Sequence, residues 1–225
     1  MKSYFKLTIF IVLAFVFNTK GQNQQEKPNI LFIMVDDLND WVGAFGGNPQ
    51  TKTPNIDALA ANSTIFKNAY CSAPLCNPSR TSIMTGYRPS TTEVYGNSEH
   101  FRDEKGFENT VTIPQYFKKN GYKTAASGKI FHSPRGNAKE PRPGSDSGSF
   151  QEERRGGLGG TFPDKKDRQS HGLNLKNYRV KGSFLRSFDW FPVDVPLEDN
   201  EDFESADYAA KFLEKEHDKP FFLAV

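Results

Sequence analysis

The stretch YCSAPLCNPSRTSIMTG, residues 70–86, contains both cysteines of the 225-residue chain. Cys71 and Cys76 could form a disulfide, bind a metal or provide a reactive side chain. The intervening residues permit a disulfide, although two cysteines cannot build a disulfide framework. The neighbouring side chains offer carboxylate and hydroxyl oxygens rather than a second Cys/His pair, so a zinc site is poorly supported. The pattern favours a reactive side chain at position 76.

Cys76 stands at the predicted start of a helix. Pro78 suits a first helical turn, and Arg80 lies about one turn further on. A nucleophile here would face the positive end of the helix dipole and free backbone N–H groups, which stabilise an anion. Arg80 could reach the same point from within the helix. The stretch therefore predicts an anion-binding site at a helix N-terminus.

The run PNILFIMVDD predicts a strand that is buried on both faces of a parallel sheet. Its carboxyl end carries Asp36 and Asp37. Two adjacent carboxylates need a cation between them, or one of them must stay protonated. Hard oxygen ligands of this kind select calcium or magnesium. A turn or a helix cap is the other interpretation of the pair.

Strands and helices alternate along the rest of the chain. A crossover helix is predicted within residues 53–66. A second helix, capped by Thr112, precedes a short strand that delivers Lys129, and residues 204–225 predict a further helix and strand. This alternation predicts an α/β fold with a mostly parallel sheet flanked by helices. Ligands of such folds bind beyond the carboxyl ends of the strands.

Composition excludes some classes of protein. A hydrophobic content of 36% allows one substantial core, which makes one globular unit the default. The net charge of +2 is too small for a dedicated nucleic-acid binder, and no basic run is interleaved with aromatic residues. Residues 133–182 are rich in Gly, Ser, Pro and charge and predict a long loop. That loop is either a solvated segment or a basic wall that attracts an anionic substrate.

The first 21 residues have the pattern of a secretory signal peptide. Lys2 and Lys6 precede an apolar run at residues 7–17, and small and polar residues follow it. The run is short for a bilayer span, so no stable membrane span is expected after cleavage. An uncleaved signal anchor is the alternative. The pattern predicts export to a periplasmic or extracellular space.

The motif CNPSRTSIMTG, residues 76–86, resembles the signature of the type I sulfatases, whose cysteine is oxidised to formylglycine. Four further segments match the iduronate-2-sulfatase-like branch in order and context: VDDLNDW, KTPNIDALA, GKIFH and KPFFLAV. The resemblance covers nearly all of the chain after the signal segment. It implies an alkaline-phosphatase-like fold and a sulfuric ester hydrolase that acts on sulfated carbohydrates.

The resemblance also implies catalytic roles. The aldehyde at position 76 would be hydrated to a gem-diol, and one hydroxyl would attack sulfur in line with the departing alcohol. Deprotonation of the second hydroxyl would then expel sulfate, a step that an unmodified thiol cannot perform. Arg80 would bind and polarise the diol, Lys129 would bridge sulfate and nucleophile, and His132 would help the elimination as a base. A formylglycine-generating maturation enzyme is thus an expected partner.

The same resemblance implies a metal site. Calcium, with magnesium as the less favoured ion, would bind Asp36, Asp37 and the formylglycine oxygen at position 76. Members of the family take further ligands from a later segment, which we expect beyond residue 225. We therefore expect weak calcium binding and no activity for the isolated 225-residue chain.

On this interpretation residues 22–225 are the amino-terminal part of a sulfatase catalytic domain, incomplete at its C-terminus. Two alternatives stay open. One is a phosphodiesterase or phosphonate monoester hydrolase of the same superfamily, because a phosphoryl group could meet the same diol. The other is a non-catalytic module that holds sulfated glycans through the basic loop.

Overall fold

The computed structural model describes residues 27–132, 146, 148–154, 196, 198 and 200–225. The predicted signal segment, residues 1–21, and most of the predicted loop at 133–182 lie outside these residues. The elements follow in this order: β1 (Ile30–Phe32), a 3-10 helix (Gly43–Phe45), α1 (Pro54–Ala61), α2 (Cys76–Thr85), α3 (Pro89–Thr92), a second 3-10 helix (Phe101–Asp103), α4 (Ile113–Lys119), β2 (Lys123–Ser127), β3 (Glu152–Arg154), α5 (Glu201–Leu213) and β4 (Phe221–Ala224). Within the described ranges, every helix is too short or too polar to cross a lipid bilayer.

The four described strands form one parallel sheet in the order β1-β4-β2-β3. The predicted α/β fold with a parallel sheet is confirmed. Phe32 near the end of β1 and Ala126 near the end of β2 both pair with Ala224 of β4. Because parallel strands share one carboxyl edge, the segments that follow β1 and β2 emerge at the same edge, on either side of β4.

The core lies on both faces of the sheet. Alternate residues of a strand point to opposite faces, and in β4 Phe222 packs in one apolar cluster whereas Leu223 packs in another. The first cluster contains Met84 of α2, and Phe117 of α4 packs against it. The second contains Phe212 of α5. Helices therefore cover both faces, which fixes the sheet edge from which the site residues extend.

The prediction that the first strand is buried on both faces was wrong. Leu31, Ile33 and Val35 expose 45%, 58% and 53% of their surface in the described structure. The reason is position, because β1 lies at an edge of the described sheet whereas α5 packs on β2 and β4. The pairing of β1 with β4 continues beyond the strand, since the N–H of Met34 donates to the carbonyl of Val225 at 2.8 Å.

Helix α4 begins with the cap that the sequence predicted. The Thr112 hydroxyl accepts the N–H of Gln115, and the Gln115 side chain accepts the N–H of Thr112 in return, which forms a capping box. Gly121, with φ of 87°, follows the end of the helix and turns the chain into β2.

The segment predicted as one long loop contains a strand and a buried ion pair. Strand β3 pairs with β2, although its sequence Glu-Glu-Arg carries no apolar alternation to predict it. Just before it, the fully buried carboxylate of Asp146 accepts hydrogen bonds from the Arg102 guanidinium, one of them at 2.7 Å, and from the Ser149 hydroxyl at 2.6 Å. This ion pair anchors the segment that leads into β3.

Asp146→Ala is expected to lower the free energy of unfolding by about 3 kcal/mol or more, because it leaves the charge of Arg102 without its partner in a buried position. Urea denaturation of the purified protein measures the change. Asp207→Ala is the matched control, since Asp207 pairs with Lys211 across one turn on the exposed side of α5 and its loss should lower stability by less than about 0.5 kcal/mol. Equal losses for the two variants would show that burial does not set the strength of the Asp146 contact.

Candidate active site

Helix α2 begins at Cys76, as the sequence predicted, and ends at Thr85. Leu75 precedes it in an extended conformation, and Gly86 follows it with φ of 77°. Pro78 and Met84 are fully buried, so the helix is held in the core along its length. Cys71 and Cys76 are both free thiols in the described structure, so the disulfide alternative is not supported.

The expectation of free backbone N–H groups beside Cys76 was wrong for the next three residues. The N–H of Asn77 donates to Oδ1 of Asn97 at 3.0 Å. Pro78 has no N–H, and the N–H of Ser79 donates to the carbonyl of Leu75 at 3.1 Å. Positive charge at this position therefore comes mainly from side chains.

Arg80 links three segments of the chain beside Cys76. Only 5% of its surface is exposed. Its Nη2 donates to Oδ1 of Asp36 at 2.7 Å, and its Nη1 donates to the carbonyls of Lys129 and of Ile130, the latter at 3.2 Å. Because a guanidinium stays charged and offers several donors in one plane, it joins a carboxylate and two carbonyls at once.

Lys129 lies between Asp36 and Cys76. Its Nζ donates to Oδ2 of Asp36 at 3.0 Å and to Sγ of Cys76 at 3.5 Å. The preceding Gly128 has φ of 81°, and a Cβ there would lie 3.3 Å from the Ser205 hydroxyl of α5. Glycine thus permits both the turn at the end of β2 and the close approach of α5 behind it.

Asp36 carries the negative charge of this group. Partial burial raises the pKa of its carboxyl, but hydrogen bonds from Arg80 and Lys129 and the charges of both side chains outweigh it and lower the pKa below its ordinary value of 3.8. Asp37 follows with φ of 56°, a left-handed conformation that aspartate adopts more readily than most residues. Such strained positions are concentrated at functional sites.

The predicted metal ligands are only partly assembled. Across the described ranges, no three His, Cys, Asp or Glu side chains are grouped closely enough to hold a metal ion. Asp36 and Cys76 instead contact the same Lys129 ammonium. Two neighbouring aspartates still offer the hard oxygen donors that fit calcium or magnesium, though fewer than the six to eight that calcium takes.

The structure therefore connects four predicted residues at the carboxyl edge of the sheet: Asp36 contacts Arg80 and Lys129, and Lys129 contacts Cys76. His132 follows Lys129 by three residues and is half-buried, directly after the buried Phe131.

Sequence reasoning missed two residues beside the site, Asn77 and Asn97. A turn-forming Gly-Asn-Ser at residues 96–98 was the available signal. No sequence pattern connects it to a helix that begins twenty residues earlier.

Comparisons with known proteins identify the family of the chain. A family model described as "Sulfatase" matches residues 28–225. The chain is 36% identical to a sulfatase of Formosa agariphila, covering 99% of this chain and 43% of that protein. It is 35% identical to human iduronate 2-sulfatase, covering 96% of this chain and 37% of that protein. The chain thus spans about two-fifths of the length of these curated relatives.

Among solved structures, a phosphonate monoester hydrolase of Agrobacterium radiobacter superposes on the chain with a TM-score of 0.60. It is 18% identical, and the match covers 88% of this chain and 40% of that one. At this identity the likeness is one of fold.

Asp36→Asn is expected to remove the part of the pH dependence of stability that arises from ionisation of the Asp36 carboxyl. Because the pKa of Asp36 is lower in the folded protein than its ordinary value of 3.8, its charge stabilises the fold above that value, and this contribution is lost as the pH falls through the lower, folded pKa. The unfolding free energies of the wild type and the variant should therefore approach each other as the pH is lowered from about 5 to below 3.8. Denaturation at several pH values measures this, and a constant difference across that range would contradict it.

Proposed function

This chain belongs to the sulfatase family, and we propose that the protein hydrolyses sulfate esters with the side chain at position 76 as its nucleophile. The observation that carries the proposal is the contact between Cys76 and the Lys129 ammonium, which also pairs with Asp36. A nucleophile held against a fixed cation at the carboxyl edge of a parallel sheet is suited to attack on an anionic ester.

Lys129 and Arg80 supply positive charge beside residue 76, where a sulfate group would bind. The Lys129 ammonium offers three donors, and among the described residues its contacts with Asp36 and Cys76 use two of them, so a sulfate oxygen can take the third. Arg80 is buried and bonded to the backbone of residues 129 and 130, so it keeps the turn that carries Lys129 in place. We propose that Lys129 binds sulfate, whereas Arg80 orients Lys129 and Asp36 and adds positive charge.

Conversion of Cys76 to formylglycine fits this position. The hydrated aldehyde would supply two hydroxyls on one carbon, of which one can attack sulfur and the other can release sulfate. A formylglycine-generating maturation enzyme is accordingly a proposed partner. We assign His132 as the base, since it follows the Lys129 turn directly.

A divalent cation is the proposed cofactor, with calcium favoured over magnesium. Asp36 and Asp37 would hold it together with the oxygen at position 76, and the ion would supply Lewis-acid polarisation of a sulfate oxygen. Support comes from the donor chemistry of the two aspartates and from the left-handed backbone of Asp37.

Sulfated carbohydrates are the proposed substrate class. Support comes from the similarity to a relative named for iduronate, a sugar acid, over 96% of this chain. We also propose that the protein is exported, because residues 1–21 carry the signal pattern.

The test uses the full-length protein, co-expressed with a maturation enzyme and assayed on paired aryl sulfate and aryl phosphate esters. Cys76→Ala should reduce sulfate release by about 10⁴-fold or more, because the nucleophile is lost. Cys71→Ala is the matched control and should stay within about twofold, since Cys71 is exposed and lies outside the contact group. Mass spectrometry of the peptide from Asn68 to Arg80 reports the state of residue 76.

Three results would overturn the proposal. An intact thiol at position 76 beside a matured control sulfatase would exclude the formylglycine nucleophile. Faster hydrolysis of the phosphate ester would favour the phosphoryl-transfer alternative. Glycan binding that survives Cys76→Ala, without sulfate release by any variant, would favour the binding module.

Removal of divalent cations is expected to abolish sulfate release reversibly, because the proposed ion polarises the substrate. Dialysis against a chelator followed by titration with calcium or magnesium measures recovery. Asp37→Asn should raise the calcium concentration needed for half recovery by about tenfold or more, since calcium affinity follows the number of charged ligands. Full activity in the chelated protein would exclude a catalytic cation.

A further inference from the structure

Helix α2 is anchored at its N-terminus by a distant loop rather than by its own N-cap. Leu75, the N-cap residue, makes no side-chain capping hydrogen bond. The N–H of Asn77 is instead satisfied by Oδ1 of Asn97 at 3.0 Å, from a residue twenty positions later in the chain. Oδ1 of Asn97 therefore accepts a helix N–H that the side chain of a Ser, Thr, Asp or Asn N-cap residue accepts in other helices.

The Asn77 side chain donates to the same loop. The Asn77 side chain is 4% exposed, and its Nδ2 donates to the carbonyl of Gly96 at 2.9 Å and to that of Glu99 at 2.7 Å. Three hydrogen bonds thus join the second residue of α2 to residues 96–99. Because a buried amide needs its hydrogen-bond partners, these bonds favour a single arrangement of the two segments.

The loop that carries Asn97 is itself closed. The N–H of Gly96 donates to the Glu99 carboxylate at 2.9 Å, and a Cβ at residue 96 would lie 2.8 Å from that carboxylate. Gly96 therefore allows the close approach that shapes the turn. Gly96 bonds to Glu99 within the loop, and the carbonyls of both residues accept hydrogen bonds from Asn77. These bonds fix the position of Asn97 between them.

Residue 76 is the direct neighbour of this anchor. Its Sγ lies 3.5 Å from the Lys129 ammonium. Lys129 follows β2, and its carbonyl accepts a hydrogen bond from Arg80, one turn further along α2. A shift of the first helical turn would therefore move residue 76 relative to Lys129. We propose that Asn97 is a positioning residue for the proposed reaction: through the N–H of Asn77, it holds the side chain at position 76 against Lys129. This inference deepens the proposed function, on which its catalytic meaning rests.

The first test is a double-mutant cycle on the unmodified thiol, which needs no turnover. The full-length protein is made without the maturation enzyme in a Cys71→Ala background, so that Cys76 is the remaining cysteine of residues 1–225. Alkylation by iodoacetamide is followed by mass spectrometry. Because the Lys129 ammonium contacts Sγ of Cys76, Lys129→Met should change the rate of alkylation about threefold or more when Asn97 is present. In the Asn97→Ala background the same substitution should change the rate by less than about 1.5-fold.

Two variants serve as controls. Asn97→Asp keeps an acceptor oxygen and should retain the effect of Lys129→Met. Asn62→Ala removes an exposed asparagine that bonds one backbone carbonyl in α1, and it should also retain the effect. Thermal unfolding shows which variants are folded, and Asn97→Ser, whose hydroxyl is too short to reach Asn77, replaces Asn97→Ala if that variant does not fold.

The second test measures turnover of the matured protein. Asn97→Ala should lower kcat for an aryl sulfate about fivefold and leave KM within about twofold, as expected for loss of one capping hydrogen bond that acts on geometry. An undiminished effect of Lys129→Met in the Asn97→Ala background, or no such effect in the wild type, would overturn the inference. A wild type that releases no sulfate would count against the proposed function alone, because the thiol cycle does not depend on turnover.

Discussion

The rest of the site depends on the contacts of Asp36 with two cationic side chains. Arg80 approaches this carboxylate from helix α2, and Lys129 approaches it from the turn after β2. Asp36 itself belongs to the segment after β1. A single carboxylate therefore joins three stretches of chain, and the hydrogen bonds and charges of Arg80 and Lys129 outweigh its partial burial and lower its pKa.

This contact also explains the geometry around residue 76. Arg80 is buried and uses its remaining donors on the backbone of residues 129 and 130, so the Lys129 turn is held from behind. Gly128 allows α5 to approach the same turn. Asn97 holds the first turn of α2, which carries residue 76, by accepting the N–H of Asn77. Residue 76 and Lys129 thus meet because Asn97 holds the first turn of α2 while Arg80, in the next turn of the same helix, holds the Lys129 turn.

The alkaline-phosphatase-like fold accounts for why these residues share one edge. Its parallel strands place the segments after β1, β2 and β4 on the same side of the sheet. Two apolar clusters, one on each face, keep the strands and helices in register. The candidate site residues lie on loops and at helix N-termini, whereas the sheet is the rigid scaffold that positions them. This arrangement is usual in α/β proteins.

Much of this was predictable from local patterns. The start of α2 at Cys76, the capping box at Thr112 and the final helix and strand follow from capping residues and periodicity, which act over a few positions. The candidate residues Asp36, Cys76, Arg80 and Lys129 were identified from motif and strand-end placement, and all four are in contact in the structure.

Other features were decided by tertiary structure alone. β1 is exposed because it lies at the edge of the described sheet, although its sequence is that of a buried strand. β3 forms because β2 offers it a pairing edge and Asp146 is anchored to Arg102, not because Glu-Glu-Arg favours a strand. The occupied N–H of Asn77 depends on an asparagine twenty residues away. The sequence by itself determined the local elements and the types of reactive residue, since these depend on neighbouring side chains. Only the folded chain decided burial, strand pairing and the anchor of residue 76, because each depends on groups that are distant in sequence and meet only after the sheet has formed.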